Sequence, residues 1–449
     1  MIWNRLSSVA AGSSAGLRRY LGNTAWLVGA KLLQMGVTFW ITAWVGRYLE
    51  PKQFGVWSYA QSYGQLLLHI ASLGMEAVAV RQLVESPASH NRILGTALAL
   101  RTLSALLTLA LLYLIQFVVP HDRDTELLIW LVTGSGVIIS LEVFEYRFLS
   151  QASSRDVAIA RFIGVVLFAG LQLALVLLEA PLIAFGWAFV CKHLFVGIAL
   201  MTAYIRIHGR PRWQADRPGV RQLFLETWPL ALSGLVVLLY MKTDQIMLRW
   251  LLDEQAVGYY SAALRFTEIW YFLAPMVTSA LFPAIVAARQ KSQALYRERL
   301  QQFYSLVVWV ALAIAVPISL LGPWLLQLPF LYGPSYAPAG NVLLIHIWTL
   351  VFVMLDAAGG RQLVAENLQR LTLPRAVFGA VMNIGLNFVF IPRWGIEGAA
   401  WATLISQICA SYLGFVFDAR TRGIFRMQST ALLVWPGYAL RRKPGSRPD

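Results

Sequence analysis

Charge is what this sequence has least of. Only 13% of its 449 residues are Asp, Glu, Lys or Arg, about half the 25% of a soluble domain. So few charges cannot clothe a water-facing surface, which excludes a soluble protein of two or three domains. Cysteine is almost missing. Cys191 and Cys409 both sit in apolar runs, which excludes a disulfide framework and a thiolate metal site. Long polar loops are missing too, the longest connection on the less basic side being about 328–338. A membrane polymerase or ligase would need such a loop to hold catalytic groups. No nucleophile–base pairing, metal-ligand cluster or phosphate-binding glycine loop is found, so no catalytic residue and no metal is expected. Residues 1–22 hold Arg5, Arg18 and Arg19 but no apolar core with a cleavage site, so no signal peptide is expected there.

What is present is apolar. Hydrophobic residues make up 58% of the chain and the mean hydropathy is +0.60. Runs of roughly 20 apolar residues, the length that crosses about 30 Å of hydrocarbon, follow one another along the chain. Spans are expected near residues 24–46, 54–79, 93–119, 126–149, 157–178, 181–205, 222–247, 256–286, 302–327, 339–360, 373–391 and 396–417. Each must be helical, because backbone groups in lipid need partners within their own segment.

The connections alternate in charge. Most of the 37 Lys and Arg lie in the N-terminal segment, in 80–92, 147–156, 206–221, 287–301 and 361–375, and in the C-terminal tail. The alternate connections hold only Arg47, Lys52, Arg123, Arg249 and Arg393. The positive-inside rule places the first set, and both termini, in the cytoplasm. The net charge of +15 is thereby a topology signal, and no nucleic-acid partner is expected. Residues 427–437 are too short to span comfortably and read as an interfacial tail.

The halves resemble each other. Arg47-Tyr48-Leu49, an acid, then Gly55, Ser58 and Ala60 are matched by Arg249-Trp250-Leu251, Asp253, then Gly258, Ser261 and Ala263. Leu182–Ala188 and Gly395–Ala402 open the sixth and twelfth spans in similar fashion. A six-plus-six duplication with parallel halves follows, related by an axis along the membrane normal. The expected fold is an all-α integral membrane protein of about twelve helices in two six-helix bundles around a central cavity. Its parts are an N-terminal segment 1–22, a bundle 23–205, a basic linker 206–221, a second bundle 222–421 and a basic tail 422–449.

Polar groups inside the spans carry the functional information, since a mid-membrane charge costs about 2.5–3.5 kcal/mol and faces a cavity or a partner. Helical spacing groups Lys31, Gln34, Thr38 and Thr42 in the first span. It groups Ser58, Gln61, Gln65, His69, Ser72 and Glu76 in the second, and Ser261, Arg265 and Glu268 in the eighth. Asn341, Thr349 and Asp356 share a face of the tenth span, and Asn383 and Asn387 lie one turn apart in the eleventh. Lys31, Arg101, Lys192, Arg265 and Lys242 are the candidate cations of an anion-binding cavity, suited to phosphate or pyrophosphate. Gln34, Gln61, Gln65 and His69 are its candidate polar lining. Asp244, Glu268 and Asp356 are candidate proton or sodium sites, and no other cofactor is implied. Lys242 and Asp244, two residues apart, face opposite ways and are not one pair. Arg161, Glu142, Glu145 and Glu226 lie near helix ends and are expected to snorkel. Pro275 and Pro317 fall inside the eighth and ninth spans, where proline is tolerated with or without a bend in use.

Four stretches resemble the Wzx-type O-antigen and polysaccharide flippases. They are Tyr48–Gly55 with Ala71–Glu76, Lys242–Leu248 with Val257–Ala263, Leu331–Ala337, and Gly395–Thr403. They span both halves in order. The resemblance implies the multidrug/oligosaccharidyl-lipid/polysaccharide (MOP) exporter superfamily, with two bundles opened alternately to each side, and a transporter rather than an enzyme. It also implies an undecaprenyl-pyrophosphate-linked oligosaccharide moved from the cytoplasmic to the periplasmic leaflet of a bacterial inner membrane, for O-antigen or exopolysaccharide synthesis. The implied partners are that lipid-linked oligosaccharide, membrane lipid, and the polysaccharide polymerase and chain-length machinery. A related exporter of a lipid-linked peptidoglycan precursor or of a cationic drug is the alternative. Dominant buried carboxylates would favour the drug, and buried cations here are at least as numerous.

Overall fold

A computed structural model describes the backbone of residues 14–151 and 154–433 and the side chains of 33–151 and 157–433. Every regular element among them is helical. In chain order these are α1 (Ser14–Ser72), α2 (Glu76–Glu85), α3 (His90–Ile115), α4 (Arg123–Ile139), α5 (Val143–Ser150), α6 (Ser154–Leu177) and α7 (Leu182–His208). Then come α8 (Arg217–Leu251), α9 (Glu254–Tyr271), α10 (Leu273–Lys291), α11 (Gln293–Leu326), α12 (Ala339–His346), α13 (Thr349–Ala365), α14 (Thr372–Ser411) and α15 (Arg422–Leu433).

Ten stretches among the described residues are long and apolar enough to cross a membrane. Two are far longer than a crossing needs: Leu33–Glu85 has 53 residues and Gln369–Phe415 has 47. Each folds back at one backbone break. In α1 the break is Glu50, at φ 56° and ψ 168°; Pro51 after it disfavours helical geometry at the preceding residue. In α14 it is Gly395, at φ 58° and ψ −135°, a conformation open essentially to glycine alone. The ten stretches are therefore consistent with twelve crossings. The eighth span is interrupted between α9 and α10 at Phe272, three residues before Pro275, whose missing N–H cannot continue the ladder. Pro317 lies inside an unbroken α11.

The repeat has a structural counterpart at the face opposite the basic one. There the second arm of α1 crosses the start of α9 with backbones in contact. A Cβ on Gly55 would lie 1.7 Å from the carbonyl oxygen of Glu254, and one on Gly258 would lie 1.9 Å from that of Pro51. Glu254 and Pro51 each stand four residues before the partner glycine, so the two contacts exchange under a two-fold relation. Around them one apolar core draws residues from both halves, including Phe54, Tyr59, Tyr260, Tyr332 and Tyr336. Tyr336 Oη donates to the carbonyl of Gly46 at 2.6 Å, Trp44 Nε1 donates to that of Phe330 at 3.0 Å, and Arg47 donates to that of Pro329. Arg249 pairs with Glu254 and reaches Asp122 at 3.7 Å.

Toward the basic face the core divides. One cluster, with Met75, Leu94, Val143, Phe148 and Leu200, belongs almost wholly to the first half. Another, with Tyr304, Leu350, Met354 and Phe415, belongs to the second. The halves are thus sealed to each other at one face, while at the other each has its own core and they meet through the start of α8, where Leu223 enters the first cluster and Glu226 pairs with Arg81. The tail expected at the interface forms α15 within 422–433, which buries Ile424, Gln428 and Ala431 and docks through Gln428 Nε2 on the Leu355 carbonyl. Residues 434–437 lie outside the described residues.

Two outcomes test this seal. Gly258→Val and Gly55→Val both force the crossing backbones apart. In a background without Cys191 and Cys409, a cysteine at Ser58 should then react several-fold faster with an impermeant thiol reagent applied from that face. Unchanged labelling would mean the crossing does not close the path. The second concerns His121, whose Nε2 is 2.8 Å from Tyr59 Oη. Its ring lies against Tyr59 and Tyr63, with Arg249, Asp122 and Glu126 around it. Burial, then the Arg249 guanidinium, push it below the usual histidine range. The sealed state therefore holds the neutral ring, and its advantage is lost as pH falls below about 6.5. Labelling at Ser58→Cys, relative to a freely exposed cysteine at the same pH, which corrects for the falling thiolate fraction, should rise on acidification, and His121→Gln should flatten that pH profile.

Candidate functional site

Directly beneath the glycine crossing, polar side chains replace apolar ones between the halves. Ser62 donates to Gln245, whose Nε2 donates to Ser261 Oγ at 2.8 Å. The next layer carries charge. Arg265 Nη2 donates to Gln61 Oε1 at 3.3 Å across the halves, and its Nη1 is 3.9 Å from Glu268. Lys242 Nζ donates to Glu268 Oε1 at 3.3 Å. These groups come from α1, α8 and α9, with two cations to one carboxylate. The Arg265 side chain keeps 33% of its surface accessible and Lys242 only 11%, so Arg265 is the cation presented to an incoming anion.

The expected lining is partly assembled here. Gln61, Gln65 and His69 are half-buried along the second arm of α1. The His69 ring packs against the backbone of Gly234 in α8, and its Nε2 is buried with no hydrogen-bond partner among the described residues. Gln34 is half-buried in the first arm. The side chain of Lys31 lies outside the described residues.

Two expected cavity cations are elsewhere. Arg101 is buried inside the first half, 3.6 Å from Glu142 and donating to Tyr146 Oη at 2.9 Å. Arg161 joins the same cluster through Glu145 at 2.6 Å and Glu142 at 3.8 Å, with His193 Nδ1 3.9 Å from Glu142. Arg161, Glu142 and Glu145 therefore form an interhelical ion cluster instead of snorkelling. The cause is a tight 3-10 turn at Ser140–Glu142 between α4 and α5, which turns both glutamates toward α3, α6 and α7. Glu226, by contrast, remains at the basic end, paired with Arg81 at 2.7 Å. Lys192 lies over Phe168 and Phe189, with Nζ 5.3 and 5.6 Å from the ring centres. The structure does not bring Arg101 or Lys192 together with Lys242 and Arg265.

The candidate carboxylates have three different settings. Glu268 is held between Lys242 and Arg265. Asp356 is ion-paired with Arg375, whose guanidinium also stacks 3.7 Å from the Phe415 ring centre and donates to the Ala410 carbonyl. That makes Asp356 a bracket between α13 and α14, not an uncompensated charge. The helix is interrupted between His346 and Thr349, which parts Asn341 from Thr349 and Asp356, while those two stay seven residues apart on α13. Asn341 instead reaches Glu397, and Thr349 meets Tyr271.

Asp244 is the exception. It is 3% exposed and has no cation within ion-pair distance among the described residues. Lys242 turns to Glu268, as the spacing of two required. Asp244 accepts hydrogen bonds from Tyr260 Oη at 2.6 Å, from Asn387 Nδ2 at 2.7 Å and from Thr403 Oγ1. Asn387 also donates to Asn383 Oδ1 at 3.1 Å, while its own Oδ1 is buried with no partner among the described residues. A carboxylate in low dielectric is costly unless protonated or paired with a cation. Here oxygens from Asp244, Asn383, Asn387, Tyr260 and Thr403 converge from α8, α9 and α14, a donor set suited to a proton or a hard monovalent cation. Spacing along one helix does not single out Tyr260 or Thr403, because they lie on helices whose mutual approach no periodicity encodes. Both do fall inside stretches that carry the family resemblance.

Residues 20–289 match the sequence profile of the family described as "Polysaccharide biosynthesis protein", and residues 229–389 match that of MatE. A probable flippase of Haloferax volcanii, AglR, is 29% identical over 189 residues, 40% of this chain and 38% of that protein. The capsular polysaccharide biosynthesis protein CapF of Staphylococcus aureus is 21% identical over 201 residues, 44% of this chain and 50% of CapF. The chain thus spans half or less of the length of these curated relatives. Among solved structures, the lipid II flippase MurJ in an inward closed conformation superposes with a TM-score of 0.74, at 15% identity and covering 91% of each chain. An inward-facing MATE transporter of the MOP superfamily gives 0.65 at 16% identity, over 88% of this chain and 96% of that one. These likenesses show the fold. With more than half its length matched, and with two helical halves sealed over a shared polar layer, the chain belongs to the polysaccharide biosynthesis protein family and has the fold of the MOP-superfamily transporters.

Proposed function

We propose that this protein is a flippase for a lipid-linked saccharide, working by alternating access between its two halves. The observation that carries this reading is the net-cationic polar layer of Arg265, Lys242, Glu268 and Gln61, lying directly under a seal made by both halves. In that position Arg265 meets an anionic headgroup bidentately, while the amides of Gln61 and Gln65 offer hydrogen bonds to sugar hydroxyls. The names of the relatives, a probable flippase and a capsular polysaccharide biosynthesis protein, support the same substrate class.

In its finer form, the substrate is an undecaprenyl-pyrophosphate-linked oligosaccharide for O-antigen or exopolysaccharide synthesis. It moves from the cytoplasmic to the periplasmic leaflet of a bacterial inner membrane. The basic face is the cytoplasmic one, with both termini on that side. The bundles 23–205 and 222–421 rock about the linker 206–221, and the product passes to the polymerase and chain-length machinery. Asp244 couples the cycle to a proton or sodium gradient, since an isolated buried carboxylate changes its burial cost when it gains or loses a cation. The charge pairs of Glu268 and Asp356 make them poorer exchangers than Asp244.

The test is identification of lipid-linked glycans by leaflet, with and without the protein. Without it, glycan should accumulate on the cytoplasmic side; equal distribution would end the flippase reading. A lipid-linked peptidoglycan precursor carries the same pyrophosphate, so the identity of the trapped glycan separates these substrates. At normal protein levels Arg265→Ala should lower export about tenfold or more, the scale of one charge-assisted hydrogen bond lost. Asp244→Asn should abolish the dependence of transport on pH or sodium. Wild-type ion dependence in that variant would remove Asp244 from coupling.

A further inference from the structure

A second group of cations lies away from the polar layer, at the end of an apolar groove. Between α3 and α8 runs a groove of about 500 Å³. Its walls are Leu103, Leu107, Val220 and Phe224, and Arg217 and Arg221 stand at its basic end. Leu103, Leu107 and Phe224 are 51%, 61% and 43% exposed, so the groove opens outward to the bilayer. Arg217 and Arg221, one helical turn apart, are both exposed, and neither has an ion-pair partner among the described residues. The nearby carboxylate, Asp216, is already held by both Arg92 Nε at 2.8 Å and Arg92 Nη2 at 2.7 Å. The groove end therefore carries two uncompensated cations. From Arg217 to Phe224 the helix rises about 10 Å, the step from headgroup level into the acyl region.

We propose that this groove binds an anionic glycerophospholipid of the basic-side leaflet, its phosphate against Arg217 and Arg221 and an acyl chain along Leu103, Leu107 and Phe224. Basic pockets between membrane helices take such headgroups. The transported lipid is a poorer fit, because none of these residues belongs to the layer of Gln61, Lys242 and Arg265. The groove walls come from α3 on one side of the 209–216 connection and α8 on the other. A lipid held there touches both halves of the protein at their basic end, beside the contacts of Leu223 and Glu226 with the first half.

Native mass spectrometry of the purified full-length chain tests the site, using dioleoylphosphatidylglycerol, dioleoylphosphatidylcholine and undecaprenyl phosphate in turn. Phosphatidylglycerol should be retained in preference to phosphatidylcholine. Arg217→Ala and Arg221→Ala should each lower its affinity about fivefold, the effect of one basic residue at the surface. Leu107→Trp, which fills the groove and keeps both arginines, should lower it as well, with melting temperatures of the lipid-free variants unchanged. Equal retention of the two phospholipids, or full retention in the double arginine variant, overturns the proposal. So does tighter binding of undecaprenyl phosphate through the same arginines, which would make the groove a substrate entry. Loss of glycan export in Arg265→Ala with phosphatidylglycerol binding intact keeps this site separate from the transport site.

Discussion

Helices in lipid gain nothing from burying apolar side chains against each other, since the surrounding acyl chains are equally apolar. What joins them is close packing, interhelical hydrogen bonds and small residues that let backbones meet. The contact of Gly55 with Glu254 and of Gly258 with Pro51 is that constraint in its purest form here. Two matched glycines, one from each half, bring the halves within backbone contact at one face. The aromatic core of Phe54, Tyr332 and Tyr336 fills in around them. Everything below depends on this crossing, because it sets the distance at which Gln61 reaches Arg265 and Ser62 reaches Gln245.

Charges inside the spans sort by the company they keep. Arg101, Arg161, Glu142 and Glu145 neutralise one another within the first half, and Asp356 with Arg375 does so within the second. Such pairs are costly to break but carry no net field. The layer between the halves differs because its carboxylate is outnumbered by cations, and the Asp244 pocket differs because its carboxylate has none among the described residues. These are two uncompensated charges of opposite sign, one facing the shared interface and one enclosed by α8, α9 and α14. In the proposed function an anionic cargo and a coupling cation take these two places, and Lys242, which holds Glu268 of α9, lies two residues from Asp244 on α8. Motion of α8 would bear on both at once.

Much of the architecture was legible in the sequence. The shortage of charge, the apolar runs and the alternation of basic connections determined a polytopic helical bundle. The matched Arg47–Ala60 and Arg249–Ala263 segments determined that its halves repeat. The spacing of Lys242 and Asp244 determined that they part company. Each of these is a local or periodic property, written along a single helix or counted between helices. Tertiary structure alone decided which polar face meets which. It buried Arg101 in an ion cluster because a 3-10 turn reoriented Glu142 and Glu145. It tied Asp356 to Arg375, and it brought Tyr260 from the next helix and Thr403 from 159 residues along the chain to Asp244. Periodicity reports the side of a helix on which a residue lies. Only the packing of helices decides whether that side meets a partner, a cavity or lipid, and for a charge in low dielectric that difference is worth more than the identity of the residue.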